Sequence, residues 1–254
     1  NFGAYAFDDI RFAEIPGHWP FGGFAHPGVV SMVEDRLYLV DNRDSEAFNL
    51  VAKRTIHEVA HQWWGHAITP KIVDGGAIFV EGFAKYTEAV IMEQEYGKGA
   101  VFQLSETANR RYFRGRAYAN TLEPGLYLED DQEYLAYGKS LTVMLALRDL
   151  IGEKQLNSVL RNLTETYRYS DEFEVLATDF INALYEASPG EYNDLVDDWL
   201  KKVINYDLSI ESSSYETLAN RTYELTIKIN AKRFETMDNG EIKKKTINKP
   251  KKKG

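Results

Sequence analysis

The sequence predicts an α+β fold, and three features of its hydrophobic pattern support this class. The first forty residues carry β-strand patterns, residues 44–203 show helical spacing, and strand patterns return after Asn205. A chain of 254 residues can bury roughly 70–75% of its unfolded surface, so it needs no disulfide or metal to build a core. We therefore expect a small β lobe, a helical lobe and the start of a β module.

The first strands are predicted from alternation and composition. Residues 9–15 alternate polar and apolar side chains until Pro16, and residues 28–40 are rich in Val, Leu and Tyr. Between them, residues 16–27 contain mostly Gly, Pro, His and aromatic residues, which predicts a loop.

The first helix is predicted from about residue 44, with Asp44 or Ser45 placed to cap its start. Its apolar positions recur every three or four residues: Phe48, Ala52, Ile56, Val59 and Trp63. A loop over 65–76 separates it from a second helix over 77–96, which Gly97 should end.

The rest of the chain continues with helices and then strands. Further helices are predicted over 98–113, 132–151, 154–168, 172–187 and 191–203. Strands are predicted over 207–212 and 222–232, with a polar turn between them.

Composition excludes several classes of function. The chain has no Cys, which rules out disulfides, thiolate metal sites and a cysteine nucleophile. Residues 241–254 hold seven Lys and one acid, which leaves 23 basic and 38 acidic residues in the first 240, a net charge of −15. Such an acidic body argues against nucleic acid as a partner.

No apolar run approaches 18 residues, so we expect no membrane contact within this chain. The chain opens with Asn1-Phe2-Gly3, without an initiator Met or a signal-peptide pattern, and we expect it to be an excerpt of a longer protein.

A possible metal site lies within the first predicted helix, at His57-Glu58-Val59-Ala60-His61. Two His at positions i and i+4 lie on the same helix face, which suits two imidazoles that share one metal ion. The adjacent Glu58 is placed to take a proton from a water molecule at that metal. The alternative is a solvated pair of His with a Glu in a salt bridge.

A catalytic zinc takes three protein ligands, so a third must come from elsewhere in the chain. Glu81 lies early in the second predicted helix, one helix-loop-helix connection away. An antiparallel helix pair would bring it to the His face. We therefore expect one Zn²⁺ per chain, bound by His57, His61 and Glu81.

These motifs resemble a known family. Residues 57–65 together with Glu81-Gly82-Phe83-Ala84 are similar to the gluzincin aminopeptidases of the membrane alanyl aminopeptidase and leukotriene hydrolase type. The resemblance implies a thermolysin-like catalytic domain, with the same three zinc ligands and with Glu58 as the general base.

Two departures from the family pattern point to a subgroup. The nineteen residues of 62–80 are one more than the usual spacing, and Val80 replaces the usual Asn. A bacterial subgroup fused to ABC-transporter permease segments shares the Trp-Trp-Gly-His-x-x-x-Pro run of residues 63–70. This resemblance implies a membrane-embedded parent protein with this domain on the extracytoplasmic side.

Tyr137 is the second catalytic candidate. Tyr137-Gly138-Lys139-Ser140 resembles the family's Tyr-x-Lys-Gly, whose Tyr stabilises the tetrahedral oxyanion. The alternative is a core Tyr, because Tyr137 also belongs to an apolar helical stripe.

The family's exopeptidase motif, Gly-Ala-Met-Glu-Asn, corresponds to Gly22-Gly23-Phe24-Ala25-His26. The resemblance implies that this segment lines the substrate cleft. The Glu that grips the substrate's free α-amine is replaced by Ala25, however, and the Asn by His26. Glu34 is either a replacement for this clamp or an ordinary acid at the end of a strand.

We therefore expect residues 1–205 to form a zinc peptidase catalytic domain and residues 206–254 a partial β module with a Lys-rich end. The expected partner is a peptide, from which N-terminal residues are removed. Two alternatives stay open: a zinc endopeptidase or oligopeptidase, motivated by Ala25, and a non-catalytic peptide sensor of a transporter.

Overall fold

A computed structural model describes most of the chain, namely residues 1–44, 47–71, 73–129, 132–170 and 174–246. Within these residues it has six β-strands and seven α-helices, with short 3₁₀ and π-helical segments between them. The predicted α+β class is confirmed. No helix of the described part is long and apolar enough to cross a membrane.

The N-terminal sheet has three strands in the order β1-β3-β2: β1 (Arg11–Ile15), β2 (Gly23–His26) and β3 (Val29–Val33). β1 runs parallel to β3 and β2 antiparallel to it, so β2 forms an edge. The prediction of a loop over 16–27 was wrong for β2, because hydrogen bonds to β3 decide its conformation against its local composition.

The helix that carries the metal motif is α1 (Leu50–Ala60). It begins later than predicted, and its cap is Asn49, whose side chain accepts a hydrogen bond from Ala52 N at 2.9 Å. Asp44 is therefore not the cap, and Ser45 lies outside the described residues. His61 is the C-cap residue, so the motif closes the helix instead of lying in its middle.

A π-helical segment precedes each of two later helices. Segment π1 (Ile78–Gly82) leads into α2 (Phe83–Tyr96), and segment π2 (Tyr134–Lys139) leads into α4 (Ser140–Ile151). Gly97 ends α2 as predicted, with φ at 77°. The sequence pattern predicts one continuous helix in each of these regions, so the two π-helical segments were not predicted.

The remaining helices are α3 (Lys98–Tyr118), α5 (Glu153–Tyr167), α6 (Ala177–Ala187) and α7 (Asn193–Leu200). α3 runs five residues beyond its predicted end, and α7 is shorter than predicted at both ends. The predicted start of α6 at residue 172 lies outside the described residues.

The main core is organised around Phe83, the first residue of α2. Its fully buried ring makes edge-on contacts with three other buried rings, those of Trp64, Phe79 and Phe180, with centroid distances of 5.2, 5.1 and 4.9 Å. Trp64 Nε1 also donates to Thr87 Oγ1 of α2 at 2.8 Å. These contacts fix the turn after α1 against the start of α2.

The C-terminal strands β4 (Val203–Thr217), β5 (Tyr223–Thr236) and β6 (Ile242–Lys245) form an antiparallel sheet in chain order. β4 and β5 are longer than predicted, and β6 was not predicted. The domain boundary near residue 205 stays a prediction.

The loop before π1 generates a test of stability. Gly75 has φ at 93°, and a Cβ atom there would lie 2.0 Å from the carbonyl oxygen of Tyr127. We expect Gly75→Ala to lower the free energy of unfolding by ~2–4 kcal/mol, since backbone strain adds to overpacking. Urea unfolding followed by circular dichroism measures the change.

Gly99→Ala is the matched control, because a Cβ atom added there would face open space and the residue lies in the first turn of α3. We expect this control to be neutral or stabilising by up to ~1 kcal/mol. Equal unfolding midpoints for the two variants would contradict the close packing of this loop.

Candidate metal centre

The three predicted ligands come together where α1 ends beside π1. His57 lies in the last turn of α1, His61 caps it, and Glu81 lies in π1. Glu81 Oε2 is 3.3 Å from His57 Nε2 and 3.6 Å from His61 Nε2. Among the described residues this is the one group of His and acidic side chains whose donor atoms could share a metal ion.

The geometry of this group fits a zinc ion. Ligand atoms placed ~2.0–2.2 Å from a tetrahedral ion lie ~3.3–3.6 Å from one another, which matches both distances to Glu81 Oε2. That oxygen is buried and has no hydrogen-bond partner in the described structure. A buried carboxylate oxygen without a donor is costly, and a cation would remove this cost.

The two imidazoles differ in what faces their other nitrogen. His61 Nδ1 lies 3.0 Å from the carbonyl oxygen of Trp64. Because a carbonyl only accepts, this nitrogen carries the proton and Nε2 keeps its lone pair. His57 Nδ1 lies 3.3 Å from Glu88 Oε2, an ion-pair distance without hydrogen-bond geometry, and its Nε2 faces Glu81.

Glu88 is fully buried and held by lysines. Lys85 Nζ donates to both of its oxygens at 2.7 Å, and Lys53 Nζ lies 4.0 Å away. Burial alone would raise the pKa of Glu88, but Lys85, His57 and Lys53 bring it down to about 2. Glu88 is therefore not a solvated acid but a buried carboxylate beside His57.

Tyr137 lies on π2 and faces the same centre. Its ring centroid is 5.9 Å from that of His57. Burial, followed by the nearby Glu81 carboxylate, raises the pKa of Tyr137, so the phenol keeps its proton at neutral pH. π1 packs closely against the start of α4, directly after π2, since a Cβ atom on Gly82 would lie 3.2 Å from Ser140 Cβ.

Glu58 lies against the edge strand β2. A Cβ atom on Gly23 would lie 2.9 Å from Glu58 Cδ, so a side chain at this position would have to displace the Glu58 carboxylate. Burial raises the pKa of Glu58, and the Glu81 charge acts in the same direction. A carboxylate with a raised pKa beside a metal site is suited to accept and return a proton.

The predicted substrate-binding segment, Gly22 to His26, lies along this edge. The side chains of Phe24 and His26 are exposed, whereas Ala25 is buried against Val30 and Met32. Ala25 therefore presents no charge to a substrate amine.

Two further polar residues, Glu34 and His66, have structural partners. Glu34 Oε1 accepts a hydrogen bond from Gly17 N at 2.9 Å, in agreement with an ordinary acid at the strand end. His66 Nε2 lies 3.0 Å from the carbonyl oxygen of Ala25, so His66 braces β2 and is not a fourth ligand.

Sequence reasoning missed the role of Gln62. Its buried amide donates to His26 O at 2.9 Å and accepts from Gly28 N at 2.8 Å, which ties the turn after β2 to the end of α1. Nothing in the local pattern distinguishes this Gln from a surface residue. The role of Lys85 was also missed. Its position three residues before Glu88 on the same helix indicates that the two side chains can pair.

Comparison with known proteins identifies the same region. A sequence model described as the Peptidase family M1 domain matches residues 2–199. A probable aminopeptidase 2 of Sulfurisphaera tokodaii is 25% identical over 189 residues, which are 72% of this chain and 24% of that protein. The chain spans between 15% and 29% of the length of the curated relatives it matches.

Solved structures show the same fold. An M1 zinc metallopeptidase from Deinococcus radiodurans superposes with a TM-score of 0.57 at 21% identity, over 79% of this chain and 41% of that one. A leukotriene A4 hydrolase from Saccharomyces cerevisiae superposes with a TM-score of 0.60 at 18% identity, over 78% and 32%.

The contact between Glu88 and His57 generates a test of metal binding. We expect Glu88→Gln to weaken zinc affinity ~10–100-fold, because the amide no longer fixes and polarises the imidazole. Competition with a chromophoric chelator measures the affinity directly.

Glu93→Gln is the matched control on the same helix, since Glu93 pairs with Arg148 away from the metal site. It should leave zinc affinity unchanged within about twofold, well below the effect of an outer carboxylate. If both variants bind zinc like the unmodified chain, Glu88 does not orient His57.

Proposed function

The chain belongs to peptidase family M1, and from this membership we propose that it hydrolyses peptide bonds with a zinc ion held by His57, His61 and Glu81. The observation that carries the proposal is the convergence of two Nε2 atoms on Glu81 Oε2, at 3.3 and 3.6 Å, beside the separate carboxylate of Glu58. This family belongs to the metallopeptidases.

The chemistry that zinc supplies when bound is Lewis acidity towards water and towards the scissile carbonyl. Glu58 takes a proton from the attacking water and returns it to the nitrogen of the leaving amine. Its raised pKa supports both halves of this role, because a base that must also act as an acid needs a pKa nearer neutrality.

Tyr137 donates a hydrogen bond from its phenol to the oxygen that becomes negative in the transition state. Its raised pKa keeps the donor protonated, and its place beside His57 aims it at the reacting carbonyl. Removing one such donor in other enzymes raises the activation barrier by ~3–4 kcal/mol.

The edge strand β2 binds the substrate as an added strand. Gly22 O accepts from Val33 N, which places Gly22 among the residues bonded to β3 and directs the amide groups of Gly23 to the open edge, whereas the outward carbonyl of Ala25 faces His66. An extended peptide can pair with such an edge, and Gly23 keeps the peptide close to Glu58.

We propose removal of N-terminal residues as the reaction, supported by the family and by relatives that are aminopeptidases. A zinc endopeptidase is the second candidate, because Ala25 presents no carboxylate to the substrate's α-amine. A peptide sensor without catalysis is the third, but the presence of both Glu58 and Tyr137 at the site argues against it.

We also propose that this chain comes from the bacterial subgroup in which such a domain is fused to ABC-transporter permease segments. It is supported by the Trp-Trp-Gly-His-x-x-x-Pro run and by the longer spacing between His61 and Glu81. It implies a membrane-embedded parent protein, with this domain extracytoplasmic and the Lys-rich residues 241–254 outside the catalytic domain.

The base assignment is tested by Glu58→Gln. We expect full zinc content and a loss of at least ~100-fold in kcat, because the amide cannot accept the proton. His61→Ala should instead lose zinc itself, as shown by elemental analysis of the purified protein. Unchanged turnover in the first variant, or full zinc in the second, would contradict these roles.

The reaction type is tested with one peptide that has either a free or an acetylated N-terminus. Mass spectrometry of the products, with a chelator-treated sample as the blank, should show stepwise trimming of the free form alone. Cleavage of the acetylated form would favour the endopeptidase, and zinc-dependent binding without any cleavage would favour the sensor.

A further inference from the structure

Three arginines lie together on one side of α3. Arg110, Arg111 and Arg114 are separated by helical spacings that place them side by side, and all three are exposed. Among the residues that the structure describes, none of them forms an ion pair. Arg116 on the same helix differs, because it lies 3.4 Å from Glu123.

Arg111 reaches the catalytic tyrosine. Its guanidinium carbon lies 4.9 Å from the centroid of the Tyr137 ring, and the same ring lies 5.9 Å from that of His57. A cation therefore stands directly beside the metal centre, one aromatic ring away from a zinc ligand.

The surroundings of these arginines form an open groove of positive charge. Arg110, Arg111 and Arg114 line it with Glu133, which leaves two positive charges in excess. This excess stands out in a chain whose first 240 residues carry a net charge of −15. A local positive groove in an acidic protein attracts anionic ligands selectively.

A purely structural role explains Arg111 poorly. A cation above an aromatic ring at an exposed site contributes only ~0.5–1 kcal/mol. Within the described part of the chain no hydrogen bond or ion pair involves the Arg111 guanidinium, so its N–H donors are open to a ligand. A guanidinium with free donors matches a carboxylate in geometry and charge.

We propose that Arg111, with Arg110 and Arg114 beside it, forms a subsite that binds a carboxylate of the peptide substrate. The proposal rests on the proposed function, because Tyr137 marks the scissile bond. An extended peptide advances ~3.3–3.6 Å per residue, so the carboxylate belongs within about two residues of that bond. It is either the C-terminus of a short peptide or an acidic side chain.

Binding without turnover tests the subsite separately from hydrolysis. Isothermal titration calorimetry uses the zinc-loaded chain carrying Glu58→Gln, with and without Arg111→Gln. One peptide pair is trialanine and its C-terminal amide. Further amidated pairs carry Glu or Gln at the first, second or third position.

We expect at least one acidic peptide to bind ~10-fold more tightly than its neutral partner, as a bidentate charged contact should provide. Arg111→Gln should bring this ratio close to one. Lys98→Gln is the control, since it removes one exposed charge ~20 Å away along α3 and should keep the ratio.

The peptide pairs separate the two sources of carboxylate. A preference confined to the free C-terminus supports short peptides as substrates, and one confined to Glu supports acidic side chains. Equal affinities in every pair, or a preference that survives Arg111→Gln, would overturn the proposal. Arg111-dependent binding by an unmodified chain that cleaves no peptide would refute the hydrolysis and retain the subsite.

Discussion

The proposed metal centre depends on two imidazole rings that both present Nε2 to the same carboxylate oxygen. The Nδ1 atom of His61 lies on the Trp64 carbonyl, and that of His57 faces Glu88 at 3.3 Å. The Trp64 carbonyl is in turn fixed by the core, because the Trp64 indole packs on Phe83 and donates to Thr87. The aromatic core thus orients His61 through the backbone carbonyl of one of its own residues, Trp64.

The two π-helical segments place the other functional side chains at this centre. Glu81 and Tyr137 both belong to such segments, which are rare and occur often at functional sites. Each segment continues into a helix packed in the core. The wider turn of each segment lets one side chain face the cleft while its neighbours stay in the core. In π1 this side chain is Glu81, and in π2 it is Tyr137.

The parts of the structure that could be predicted from sequence are those encoded by local periodicity. The i, i+4 spacing of His57 and His61 and the stop at Gly97 are of this kind. β2 was not predicted, because the Gly, Pro and His content of residues 16–27 is typical of a loop, although its partner β3 follows after only two residues. The other group that holds its end, the Gln62 side chain, is distant in sequence. The π segments were hidden because they continue the apolar stripe of the helices that follow them.

The lengths of β4 and β5 were missed for a different reason. Most of their residues are exposed on both faces in the described part of the chain, so no alternation of buried and exposed positions marks where the strands end.

The predicted metal ligands tolerate a change in sequence spacing. One extra residue in a continuous α-helix would rotate all later side chains by ~100°. A π-helical segment can accommodate the extra residue, because each of its i→i+5 turns is wider than an α-helical turn.

The amine clamp has no comparable freedom, because it depends on the identity of one side chain. Ala25 packs with Val30 and Met32 in a small apolar cluster under β2. A carboxylate there would be buried without a partner among these residues, which is costly. The apolar surroundings agree with the loss of the acid, so any recognition of a free α-amine must come from a group outside this strand.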